Sequence, residues 1–196
     1  MADHGELGGA RVTNVQLDAL GVVQHVVEGA LPAIGTRLHG MIDMPRRREH
    51  MALHTGQHIL SRALHRELQA DTISARLGET ACTIDVNRTS LSDAELGRVI
   101  DLASSVVDDN LPVRAFFPRE DELADLSLRK PSKVQTDIRI VTVGDFDATP
   151  CGGTHCASSA EVGLLHVSHL ERHRGAMRIH FTAGARSRKS LGRAYD

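Results

Sequence analysis

From Arg46 to about Leu68 no proline interrupts a run of helix-favouring residues, and Pro45 just before it suits the first turn of a helix. Such a helix is about 34 Å long, enough to cross a small domain, so the other elements must be arranged around it. Leu53, Leu60, Leu64 and Leu68 fall on one side, which marks the face toward a core. His50, His54, His58 and His65 form a second stripe about 100 degrees away around the axis, at the edge of that core.

On either side of this helix the pattern changes to short strands. ARVTNVQL, GVVQHVV and TRLHGMID, punctuated by Gly21, Gly29 and Gly35, read as β segments over residues 10 to 43 and suggest part of a small barrel. After the helix, DTISARL and ACTIDVN alternate around a Gly78-Glu79 turn as a hairpin does. A second helix is expected at about 92 to 109, opened by Ser92 with Glu95 three places on as a capping box. VRAFFP then reads as a strand, PREDELADL as a short helix and DIRIVTVGDF as a strand, and LLHVSHL and MRIHFTAG as a closing antiparallel pair. The segment after Gly184 is either a final helix or a frayed end. The fold class is α+β, with a division expected between residues 1–44 and 45–196.

With 196 residues the chain can bury a core without staples. Cys82, Cys151 and Cys156 are too few and odd in number for a disulfide scaffold, and no signal sequence or membrane span is visible. A soluble cytoplasmic protein is expected. A net charge of -2 excludes a global basic signature, so any nucleic-acid contact must come from local clusters: Arg46-Arg47-Arg48, Arg172-His173-Arg174, and Arg186, Arg188, Lys189 and Arg193. With no Trp, one Tyr and four Phe, there is little on which to stack a run of unpaired bases.

Histidines four apart on a helix lie one turn along and about 40 degrees around the axis, so both can reach one metal ion. His54 and His58 in HTGQH have that spacing, as do His50/His54 and His169/His173. The stretch CGGTH, residues 151–155, adds a thiol and an imidazole, the donor types zinc prefers. Paired, Cys151 and His155 would complete a tetrahedral zinc set with His54 and His58, the alternative being a buried thiol beside a surface imidazole. Gly152 and Gly153 suit a sharp loop through positive φ or close approach. Cys156 alternates away from His155 and reads as a small core residue, and Cys82 is expected to pack inward. Four protein ligands suit a closed structural site, whereas catalysis needs an open position, and the ligand count leaves both readings standing.

With both halves placed, the chain resembles the editing domain of alanyl-tRNA synthetases and, more closely, the AlaX family of free-standing alanyl-tRNA editing proteins. IDMPRRREHMALHTGQHIL is similar to that family's lead into its HxxxH helix and ACTIDV to its following strand. DATPCGGTHCASSAEVG is similar to its CxxxH loop and MRIHFTAG to its final strand. These cover most of residues 37 to 184. One departure is that longer members carry a glycine-rich GGGQP-type motif in the amino-terminal barrel, and this sequence opens at MADHGELGG, as though just beyond it.

The resemblance implies an antiparallel sheet with packed helices of the threonyl/alanyl-tRNA synthetase editing type over 45–196, preceded by a partial β-barrel over 1–44. It makes His54, His58, Cys151 and His155 the ligands of one zinc ion per chain. It also implies ATP-independent hydrolysis of mischarged tRNA(Ala), chiefly the seryl ester, with the glycyl ester as a second candidate. A pocket shaped for alanine rejects an added hydroxyl poorly, whereas a site that hydrogen-bonds the hydroxyl rejects the analogue lacking it by about 10⁴ to 10⁵. Thr72 and Thr83, expected where the hairpin faces the helix, are the candidate readers, and Gln57 is a candidate to position water or substrate. Arg48, Arg186, Arg188 and Lys189 are the candidate phosphate contacts. Zinc has three roles open to it: orienting the amine, polarising the carbonyl or activating water. The competing readings are a non-enzymatic, zinc-stabilised RNA- or partner-binding module and a zinc hydrolase of small esters.

Overall fold

In the amino-terminal segment Ala10 and Val12 are buried while Arg11 between them is exposed, the alternation of a strand with one covered face. A computed structural model describes residues 2–30, 32–132 and 135–192, so Arg193 lies outside the described residues. The strands Gly5–Leu7 (β1), Ala10–Leu17 (β2), Val23–Glu28 (β3) and Gly40–Ile42 (β4) form an antiparallel sheet in the order β3-β2-β1-β4. Gly8 and Gly9, with φ of 56° and 88°, make the turn between β1 and β2. The expected strand TRLHGMID shrinks to Gly40–Ile42 because its partner β1 offers only the three pairs Gly5/Ile42, Glu6/Met41 and Leu7/Gly40. The helix α1, Met44–Leu68, begins two residues before Arg46, since the Asp43 carboxylate accepts from the Arg46 N–H at 3.0 Å and caps it.

The chain divides into two units, residues 1–50 and 51–196, with the boundary inside α1. In the second unit the leucine face of α1 is buried as its spacing requires: Leu53, Leu60 and Leu64 are inaccessible to solvent. The strands Thr72–Leu77 (β5) and Cys82–Val86 (β6) form the expected hairpin. Helix α2, Asp93–Asp108, opens with a complete capping box. Ser92 Oγ accepts from the Glu95 N–H at 3.3 Å, and Glu95 Oε2 accepts from the Ser92 N–H at 2.9 Å.

Val113–Phe116 (β7), Glu120–Asp125 (α3), Ile140–Val143 (β8) and Asp147–Pro150 (β9) follow, then Leu165–His173 (β10), Ala176–Ala183 (β11) and Gly184–Gly192 (α4). Two antiparallel sheets result, in the orders β10-β11-β6-β5 and β7-β8-β9. The segment after Gly184 is thus helical through Gly192. Cys82, Ile84 and Val86 of β6 and Ile179 and Phe181 of β11 join the α1 leucines and Val99, Ala103 and Val106 of α2 in one core. Among the described residues no helix is long and apolar enough to cross a membrane.

One glycine sets how closely α1 packs. A Cβ on Gly56 would sit 3.1 Å from Leu165, 3.2 Å from Val162 and 3.3 Å from Ala183, tighter than ordinary contact. Its bare backbone therefore lets HTGQH lie against the start of β10 and the end of β11.

Candidate metal centre

His54 and His58 project from successive turns of α1, and Cys151 and His155 come from the loop that leaves β9. The loop is anchored at its root. The Cys151 N–H donates to the Arg139 carbonyl at 3.0 Å, and Arg139 Nη1 donates to the carbonyls of Cys151 and Gly153, each at 2.8 Å. Neither Gly152 nor Gly153 takes a positive φ, so the expectation of a left-handed glycine turn is corrected. The second reason for glycine, close approach, holds for Gly153 alone. A Cβ there would fall 2.3 Å from His54 Cε1, while one on Gly152 would meet nothing within 4 Å.

One donor atom from each of His54, His58, Cys151 and His155 lies within 4.8 Å of every other. Cys151 Sγ is 3.4 Å from His54 Nε2 and 3.4 Å from His155 Nε2. A tetrahedral zinc with ordinary bonds to sulfur and nitrogen separates those atoms by about 3.6 Å, so the donors stand near the positions a small divalent ion requires. The His58 ring is turned 78° from that of His54 and 73° from that of His155, an arrangement that brings in-plane lone pairs together from different directions.

His54 and His155 are also held from behind through Nδ1, and a carboxylate stands behind His58. His54 Nδ1 faces the Thr154 carbonyl at 3.2 Å, His155 Nδ1 faces Thr55 Oγ1 at 3.1 Å, and His58 Nδ1 faces the Asp147 carboxylate at 3.6 Å. Backing of this kind fixes ring orientation and tautomer in metal-ligating histidines. Thr55 Oγ1 also accepts from the Cys156 N–H at 3.1 Å, which ties the loop to the helix a second time. The residues present therefore fit a metal ion.

At Cys151 and His155 the electrostatics agree. Burial pushes the Cys151 thiol up, but hydrogen bonds from His155, His54 and His58 outweigh it and hold the thiol down at about 3, in its anionic form. Burial is the leading cause that lowers His155 to about 4, with the imidazoles of His58 and His54 adding to it, so that ring is neutral at pH 7. A thiolate and a neutral imidazole are the states a metal ion takes up. Cys156, raised to about 11 chiefly by burial, and Cys82, in the core, remain packing thiols.

The other candidate residues are distributed less evenly. Gln57 is a buried amide whose Nε2 donates to Ser61 Oγ at 2.8 Å, and the Thr72 hydroxyl donates to the same Ser61 oxygen at 2.9 Å. Ser61 lies one turn beyond His58, so Thr72 is tied to the helix that carries the histidines. Thr83 does not face α1 as expected. It alternates with the core residues Cys82 and Ile84 and therefore points from the opposite face of the sheet, beside its register partners His180 and Arg76. Arg48, Arg188 and Lys189 are exposed. Arg186 is turned inward, its Nη1 donating to the Gly78 carbonyl at 2.7 Å, which commits it to the hairpin turn. Sequence reasoning missed Thr55, Arg139, Asp147 and Arg129; the carboxylate in GDFDATP and the hydroxyl inside HTGQH were the available signals.

Residues 138–180, the stretch that holds β8, β9, the CGGTH loop and β10, match the domain family described as the threonyl and alanyl tRNA synthetase second additional domain. The chain is 33% identical over 171 residues to the alanyl-tRNA editing protein AlaX-L of Pyrococcus horikoshii, an alignment covering 85% of this chain and 42% of that protein. It is 36% identical over 194 residues to the alanine–tRNA ligase of Pyrobaculum aerophilum, with 93% of this chain and 22% of the ligase aligned. For the alanine–tRNA ligase of Pyrococcus furiosus the identity is 35% over 182 residues, with 89% and 20% covered. The chain thus spans less than half the length of these relatives. Residues 138–180 thus carry the domain shared by threonyl and alanyl tRNA synthetases, in a chain similar over most of its length to AlaX-L and to archaeal alanine–tRNA ligases.

Proposed function

We propose that this chain is a zinc-dependent hydrolase that removes a wrong amino acid, chiefly serine and secondarily glycine, from tRNA(Ala). The observation that carries the reading is the convergence of His54, His58, Cys151 and His155, backed by Nδ1 contacts, in a chain similar to a protein named for alanyl-tRNA editing. On this reading residues 45–196 are the editing domain and residues 1–44 contribute part of a β-barrel.

Three imidazoles and a thiolate would hold the zinc, which when bound supplies Lewis acidity toward an ester carbonyl, an amine or a water. The rest is the work of this chain's own groups. Thr72, hydrogen-bonded to Ser61, keeps its hydroxyl oxygen available to accept from the serine side chain, and a substrate lacking that hydroxyl leaves the group unpaired. Gln57 acts from beneath by donating to Ser61, so its role is to hold Ser61 rather than to touch substrate. Exposed Arg48, Arg188 and Lys189 supply phosphate contacts that favour tRNA without reading its sequence, and Arg186 supports them only by fixing the hairpin turn.

The test is loss of ester from seryl-, glycyl- and alanyl-tRNA(Ala) incubated with metal-quantified protein. Rapid loss of the seryl ester with alanyl-tRNA(Ala) spared is the expected result. Seryl ester as stable as in buffer alone, with zinc present at one per chain, would leave a zinc-stabilised binding module in its place.

A further inference from the structure

His58 is the most deeply enclosed histidine of the centre, and its Nδ1 is buried with no hydrogen-bond partner among the described residues. The group facing it is Asp147 Oδ2, at 3.6 Å, with the His58 side chain 4% exposed and the Asp147 side chain wholly buried. Asp147 is itself fixed from the far side. Arg129, 5% exposed, places Nε 3.0 Å from Oδ1, and the Thr149 hydroxyl donates to Oδ2 at 2.9 Å. The Arg129 N–H also donates to the Ala148 carbonyl at 2.9 Å, which docks the segment after α3 onto β9.

We propose that Asp147 is a positioning residue for the metal centre: braced by Arg129 and Thr149, its carboxylate takes the His58 Nδ1 proton as a hydrogen bond and so commits His58 Nε2 to the metal. The proposal rests on the reading of the four-residue cluster as a zinc site. Arg129 cancels the charge of the carboxylate, so the contribution is directional: it selects a tautomer and a ring angle. That makes asparagine an informative replacement. Arg129 Nε can only donate, so the amide of Asp147→Asn must turn its oxygen toward Arg129 and its NH₂ toward His58. A donor facing Nδ1 favours the tautomer protonated at Nε2, the atom the metal needs bare. Replacing Arg129 as well removes the demand that orients the amide.

The experiment measures zinc affinity of the full chain by competition with a chromophoric chelator, for wild type, Asp147→Asn, Arg129→Gln and the double variant, with far-UV circular dichroism on each. The expected result is a loss of about 10- to 100-fold in Asp147→Asn with the spectrum unchanged, and recovery of most of that loss in the double variant. Affinity of Asp147→Asn within twofold of wild type would overturn the proposal, as would a double variant that binds more weakly than the single. Two-bond ¹H–¹⁵N spectra of the zinc-loaded wild type decide independently of how the variants fold. A proton on His58 Nδ1 supports the proposal, and a proton on Nε2 overturns it. Wild type that takes up no zinc would overturn the metal reading and this proposal together, whereas unaltered affinity in Asp147→Asn overturns the proposal alone.

Discussion

Two clusters of histidines with an anionic partner in the second unit meet the same limit of donor proximity. His54, His58, Cys151 and His155 bring their donor atoms within 4.8 Å, and so do His169, Glu171 and His180 on the β10–β11 hairpin. What surrounds them differs. In the first group the rings of His54 and His155 each stand at a steep angle to that of His58, and every Nδ1 faces an oxygen. In the second, His169 and His180 stack at 3.9 Å with 18° between planes, so their in-plane lone pairs run side by side. Glu171 is partly taken up by its neighbours, with Oε1 3.2 Å from His180 Nε2 and 3.7 Å from Arg178 Nη1. Proximity of donors is common wherever histidines pair across strands; convergence with backing from behind is what makes a site.

The contrast breaks most visibly on metal content. Cys151→Ala is expected to reduce zinc from one per chain to nearly none and to abolish hydrolysis of seryl-tRNA(Ala). Paired replacement of His169 and His180 by alanine is expected to leave zinc at one per chain. Elemental analysis of the purified variants decides it, and a hairpin variant that loses zinc would erase the distinction drawn between the groups.

A second expectation sharpens the role of close approach. Gly153→Ala places a methyl against the His54 ring and should weaken zinc binding by at least about tenfold, whereas Gly152→Ala, with open space around it, should stay within twofold. Chelator competition reads both. Equal effects at the two positions would mean that loop flexibility, rather than ring placement, is what the glycines provide.

Thr72→Val concerns selectivity beside the first group. Hydrolysis of the seryl ester should fall by at least about tenfold relative to residual hydrolysis of the alanyl ester, because the hydroxyl of serine loses its partner while the alanyl ester has none to lose. Parallel decline of the two rates would assign Thr72 to holding Ser61 and nothing more.

The smallest effect lies beside the second group. The Arg178 hydrogen bonds to Asp85 are the main cause that holds its carboxyl down at about 2, with Nε 2.7 Å from Oδ1. A carboxylate lowered in the fold adds stability above its unfolded value of about 3.9, and that stability drains away as the pH falls through about 2. Asp85→Asn should therefore flatten the stability profile between about pH 4 and pH 2 and lower the plateau above it. Denaturant melts across that range test it. An acid limb as steep as that of wild type would show that other carboxylates govern it.

Much of the first group was legible because each of its parts is local. Helical spacing relates His54 to His58, and CGGTH brings Cys151 and His155 within five residues. The capping box at Ser92 and Glu95 and the hairpin at Gly78 were readable for the same reason: the partners are near in sequence and the hydrogen bonds are fixed by backbone geometry. The facing of Thr83 was only half readable: an inward Cys82 already turns its strand neighbour Thr83 to the other face, but which residue faces inward rests on register. A one-residue difference in register swaps the two faces of a strand, and register is set by pairing with β11, far along the chain. Arg186 was assigned to phosphate because charge in a tail reads as exposed, yet its partner Gly78 lies in a distant turn.

The sequence by itself determined the long helix, the alternation of strands and the two pairs of donor residues, since these follow from periodicity and from side-chain chemistry within a few residues. Tertiary structure alone decided which atoms face which. Asp147 comes to stand behind His58, Thr55 behind His155, and Gly153 against the His54 ring, only because β9 and its loop are laid along α1. Contacts between groups about 90 to 100 residues apart depend on packing, and packing is a property of the whole core.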